Sequence, residues 1–192
     1  MRTLREAETA LREFDRKRWK HAPGANTACH TTLHLAKAVV KLLGEAAMGS
    51  SDDERIDHLL FEFYETACGR IVEHALRLSR ACDKSLPAVL LESQNPPPKS
   101  VKEWIELQED IPDTQRFAQL VEGIGALLDL CERSDHGEAV DWRRALAVIP
   151  QLIRGALYAG TELLEGEARL VRPFQYRLKE LKQHYEYATA RA

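Results

Sequence analysis

Long apolar runs are missing from this chain. No stretch approaches the about 20 residues needed to cross a bilayer core. The opening MRTLREAETALREFDRKRWK carries acidic groups and lacks the apolar centre of a secretion signal. The expectation is a cytoplasmic protein with no membrane partner. Cysteine is sparse too. Cys29, Cys68, Cys82 and Cys131 are scattered without a CxxC pair, which argues against a disulfide scaffold and reads as four reduced, mostly structural thiols. Zinc held through the adjacent Cys29 and His30 would need a second pair of ligands that the spacing does not offer. An excess of charge of one sign is also lacking. There are 27 Lys and Arg against 30 Asp and Glu, a net charge of −3, so nothing global points to nucleic acid. GxGxxG, GxxxxGK(S/T), GxSxG and HExxH do not occur, and neither does the ExxH pair of a ferritin-like di-metal bundle.

What is present is helical grammar. The chain is 44% hydrophobic and 30% charged over 192 residues, a globular composition able to bury roughly 70% of its unfolded surface. Its ten glycines and eight prolines fall mostly between long Ala/Leu/Glu/Arg-rich segments. The expected fold class is all-α, an antiparallel helical bundle. A first helix over 3–19 shows Leu4, Leu11, Phe14 and Trp19 on one side, with Thr3 and Glu6 as a capping box. Its basic end (Arg16, Lys17, Arg18 and Lys20) suits a helix C-terminus or a phosphate. HAPGANTACHTT then breaks the helix, and Asn26, Thr27, Thr31 and Thr32 are candidate caps for a second helix over about 31–47. In that helix Leu33, Ala36, Val40 and Leu43 form the apolar stripe, while His30, His34, Lys41 and Glu45 form a polar one. If the helix starts by His30, the two histidines share a face and form a candidate metal pair.

A third helix over 53–82 carries Leu59, Phe63, Ala67, Ile71 and Leu78 on its apolar side, and His58, Glu62, Glu65 and Glu73 on its polar side. Such stripes ordinarily face water, but on two antiparallel neighbours they can converge on a divalent cation. Ser85 and Pro87 open a short helix, and QNPPPKS is the clearest break. It divides the chain into a half over 1–94, a connector over 95–99 and a second half over 100–192, most simply within one compact unit. The second half offers a short helix opened by Ser100, long helices over 114–134 and 140–166 with Pro150 as a kink, and a last helix over 172–190. Pro173 suits that helix's first turn, and Phe174, Leu178, Leu181 and Tyr185 share a face. Gly123 and Gly125 read as close helix contacts rather than a phosphate loop, and Trp104, Trp142 and the C-terminal tyrosines as core or interface rather than a base-stacking platform. The two halves follow a similar helix–turn–helix order, which raises an internal duplication as one explanation and the general likeness of helical hairpins as the other.

The order FDRKRW, then HTT leading into LHLAKAVVKLLGEA, then a helix ending HALRLSRACDKSLPAVLLE, resembles the all-α NTP pyrophosphohydrolases of the MazG-like group over residues 14–92. The resemblance implies a helical metal site in which ExxE on one core helix and ExxD on the next hold Mg²⁺ or Mn²⁺ against a nucleoside triphosphate. Here only Glu45 stands near the first motif, with Leu42 at its partner position and Lys41 beside it. Ala67 and Arg70 stand near the second, and Glu62 and Glu65 lie about one turn earlier. The resemblance therefore makes Glu45, Glu62 and Glu65 the candidate metal ligands, His58 an alternate ligand, and Lys41 and Arg70 the candidate phosphate contacts. Two cations beside a metal site cost on the order of several kcal/mol when partly buried. The expectation is a degenerate member acting through binding or assembly, with a nucleotide, a second copy or another protein as partner. The alternative is a Mg²⁺- or Mn²⁺-dependent pyrophosphohydrolase with a shifted carboxylate site.

Overall fold

The computed structural model describes residues 1–18, 25–48, 54–158 and 164–189, with the side chains of 18, 25–27, 42–48, 54–65, 113–114, 117, 158, 185 and 187–189 outside that description. The architecture is an all-α helical bundle. Among the described residues the elements are α1 (Leu4–Arg18), α2 (Ala25–Met48), α3 (Glu54–Ala81), α4 (Leu86–Glu92), α5 (Val101–Glu106), α6 (Asp113–Asp135), α7 (Arg143–Tyr158) and α8 (Ala168–Thr189).

Local chemistry sets several boundaries. The Thr3 hydroxyl accepts from the Glu6 N–H at 3.2 Å, and the Glu6 carboxylate accepts from the Arg2 N–H, so α1 starts where the capping pair places it. A distant group completes that end: Glu167 accepts from the Leu4 N–H at 2.7 Å. Ser85 and Ser100 cap α4 and α5 through the N–H groups of Ala88 and Glu103.

Helix α3 is the spine. Residues 71–79 are all buried, and α3 packs against α2, α7 and α8. The α3–α8 crossing is close because residue 69 is glycine. A Cβ there would fall well inside the van der Waals contact distance of the Pro173 carbonyl oxygen and 3.0 Å from the Arg177 Cβ. Helices α6 and α7 cross in the same way, with Gly123 under Val148 and Leu152, and Gly155 under Leu120. Helix α2 joins the two groups by packing on both α3 and α6. The Cys29 thiol, near the start of α2, touches that of Cys131, near the end of α6, so these helices run antiparallel. One apolar cluster runs through the bundle from Leu4 and Phe14 to Phe174 and Leu178, with Trp104 fully buried and donating its indole N–H to the Ser93 hydroxyl.

Several expectations change. Helix α2 begins at Ala25, not near residue 31, so Thr31 and Thr32 are buried interior residues and not caps. Its core face is Ala28, Thr31, Thr32, Leu35, Ala36, Ala38 and Val39, whereas Leu33 and Val40 of the expected apolar stripe are 39% and 55% exposed. Helix α8 begins four residues before the expected start, which places Pro173 inside the helix, where its carbonyl meets Gly69. A Cβ on Gly125 would meet nothing within 4 Å, so this glycine is no close contact. Trp19 and Tyr185 lie outside the described side chains.

Candidate functional site

The polar groups of α3 that the structure describes are largely turned inward. Glu73 was expected on a solvated stripe, but it has 0% exposure. An isolated carboxylate cannot stay ionised without water unless charged donors replace the lost hydration. Here Arg77, one turn on, binds its Oε1 at 2.5 Å, and Arg177 of α8 binds its Oε2 at 2.6 Å. Arg177 also reaches Glu180 at 3.0 Å. Arg77 turns its other edge to Asp15 of α1 at 2.8 Å, and Arg80 meets the second oxygen of Asp15 at 2.5 Å. The result is a buried chain of ion pairs that ties α1, α3 and α8 together.

Beside it, on the α2 side, stand three histidines. His30 and His34 are four residues apart in α2, with ring centroids 4.4 Å apart and edge-on. His34 stacks on His74 of α3 at 5.2 Å. Burial holds the His74 pKa well below its ordinary value, helped by the positive charge of Arg77 and the neighbouring imidazoles. The His34 pKa is lowered for the same first reason, then by His30 and Lys37. His74 is therefore a neutral imidazole in a positive field. Its Nδ1 is buried without a hydrogen-bond partner, and so is Nε of Arg70, one turn earlier on the same face of α3. Such orphans cost about 1–3 kcal/mol each when no partner arrives. Together they leave two buried nitrogen atoms unpaired one turn apart on α3.

The stack also sets the register of the helix pair. With His34 level with His74 and the helices antiparallel, Lys41 stands level with residue 67, beside Arg70. Both cations are half-buried. The same register puts the backbone of Glu45 level with residues 62–65. The side chains of Glu45, His58, Glu62 and Glu65 lie outside the described residues. Among the described residues, no group of three or more His, Cys, Asp or Glu side chains is arranged to hold a metal ion.

Sequence reasoning passed over Asp15, His74, Arg77 and Arg177. The spacing of Glu73 and Arg77, four apart within the otherwise apolar IVEHALRLSRA, was a usable signal, since charges that fall in an apolar face need each other. Nothing in the sequence marked Arg177 as the second partner, because that pairing depends on how α8 crosses Gly69.

The cleft's relatives would be read from its residues if they were shared, but the chain matches no family model, no curated protein and no solved structure in the three comparisons made.

Proposed function

We propose that the chain is a degenerate MazG-like helical protein that works by binding, and that its α2–α3 cleft takes the phosphate groups of a nucleotide. The observation that carries this reading is the pair of buried orphan nitrogens, Arg70 Nε and His74 Nδ1, one turn apart in a positive field. A phosphate oxygen would satisfy each, and the guanidinium would make the charge-assisted bond. Lys41 stands at the right level to join them. The described carboxylate nearest this cleft, Glu73, is taken up by Arg77 and Arg177 and has no oxygen left for a cation.

The second reading is a Mg²⁺- or Mn²⁺-dependent nucleoside triphosphate pyrophosphohydrolase using Glu45, Glu62 and Glu65, with His58 in support. What favours it is the backbone register that sets Glu45 level with 62–65. The metal would supply the activated water and the charge neutralisation of such a reaction.

One pair of measurements separates the two. Calorimetric titration with ATP and with inorganic pyrophosphate should show binding that weakens about tenfold in Arg70→Gln. Pyrophosphate release should stay at background for every NTP and dNTP with either metal. Turnover that vanishes in Glu62→Ala/Glu65→Ala would replace the first reading with the second. Absence of binding to any phosphate compound would sink both.

A further inference from the structure

The chain exposes seven large hydrophobic side chains among its described residues, and four of them share one place. Leu33 and Val40 lie seven apart on α2, and Val121 and Leu128 lie seven apart on α6, with 39%, 55%, 49% and 45% of their surfaces exposed. Helical angles put Leu33 and Val40 on the flank of α2 that turns toward α6, away from His34 and Lys41. Val121 and Leu128 fall on the flank of α6 that turns toward α2, away from the α7 contacts of Leu120 and Gly123. The Cys29–Cys131 contact makes Leu33 level with Leu128 and Val40 level with Val121. The four side chains therefore line a single apolar seam over the groove between the two helices.

We infer that this seam is a two-fold interface with a second copy of the chain. The charges choose the partner. On α2 the residue between the apolar pair is Lys37. On α6 the residue between them is Gly125, flanked by Glu122 and Asp129, and all four of these are exposed. A two-fold axis parallel to the helices lays α2 of one copy over α6 of the other, antiparallel and at conserved height. Leu33 then meets the second copy's position 128, Val40 its position 121, and Lys37 enters the notch left by glycine 125 beside the acid at 122. The alternative two-fold, with α2 on α2, would set Lys37 against its own equivalent. The face fits in size as well. Two helices of 24 and 23 residues make a strip about 35 Å long and about 20 Å wide. That footprint of roughly 700 Å² is close to the about 800 Å² per partner of a standard stable interface.

The test is sedimentation equilibrium of the full chain. The expected result is a monomer–dimer equilibrium, with the dimer dominant at concentrations on the order of 100 μM. Val40→Glu should weaken it by at least about 100-fold, because two copies of a charge enter the seam at once. Lys37→Glu and Glu122→Lys should each weaken it about tenfold, and the two together should restore it. Gly125→Arg guards against misreading a folding defect. A Cβ at this exposed position meets nothing within 4 Å, so helical content should persist while the dimer is lost. A chain that stays monomeric throughout would overturn the inference and leave the seam to a different polypeptide. A dimer indifferent to Val40→Glu and Gly125→Arg would overturn it equally, by placing the contact elsewhere.

Discussion

His74 is the side chain on which the chemistry of the cleft turns. It is 7% exposed, neutral, and faced by His30 and His34 of α2, Arg77 of its own helix, and Arg177 of α8. Because its folded pKa lies below the unfolded value of 6.5, the unfolded chain binds a proton that the folded chain refuses. The contribution to stability is complete above pH 6.5 and is lost as pH falls below it toward the folded pKa. Urea unfolding at a series of pH values should show stability dropping by up to about 1.4 kcal/mol per pH unit from this residue below pH 6.5. In His74→Leu the slope should be shallower by that amount. An unchanged slope would mean the imidazole is solvated. This residue was not legible as special in advance: a histidine beside a glutamate on a helix carries no mark of burial until the neighbouring helices are in place. Glu73 and Arg77 were more legible, since their spacing and apolar surroundings state the problem that the ion pairs solve.

Among the elements, the pairing of α3 with α8 rests on a missing side chain. Gly69→Ala places a Cβ against the Pro173 carbonyl, which belongs to backbone and cannot rotate away. Although alanine is the better helix former, this substitution should destabilise the protein by about 1–3 kcal/mol, read from the shift in denaturation midpoint. It should also loosen Arg177 from Glu73, visible as faster amide exchange in 168–180. A stabilised Gly69→Ala would contradict the crossing described here. The elements were the most readable level of this sequence. The capping pairs Thr3/Glu6, Ser85 and Ser100 start helices where the sequence says they should, and the apolar positions of α1 and α8 are buried as expected at Leu4, Leu11, Phe14, Phe174 and Leu178. The start and face of α2 were misread for a physical reason. Its core side joins Leu35 and Val39 to three alanines and two threonines, which mark a face weakly, and the equally large Leu33 and Val40 are left outside.

At the scale of the molecule, the apolar cluster crosses the Pro-rich connector without interruption, joining Ile71 and Leu76 to Leu152, Ile153 and Phe174. Differential scanning calorimetry should therefore show one cooperative transition, with calorimetric and van't Hoff enthalpies equal. Two separable transitions would assign the halves independent cores. The division at residues 95–99 was readable from three prolines, but whether a core respects such a break depends on which helices cross, and crossings are set by side chains far apart in sequence.

The contact between Leu4 and Glu167 gives the chain a history as well as a shape. Helix α1 is finished by a carboxylate 163 positions later, made about ten to thirty seconds afterwards at ordinary rates of synthesis. During that interval α1 has an open N-terminus, and Leu4, Leu11 and Phe14 lack the α8 surface that α1 packs against. A nascent chain must carry this unfinished helix until Glu167 and α8 have been made, which makes docking of α8 the step that ends its exposure.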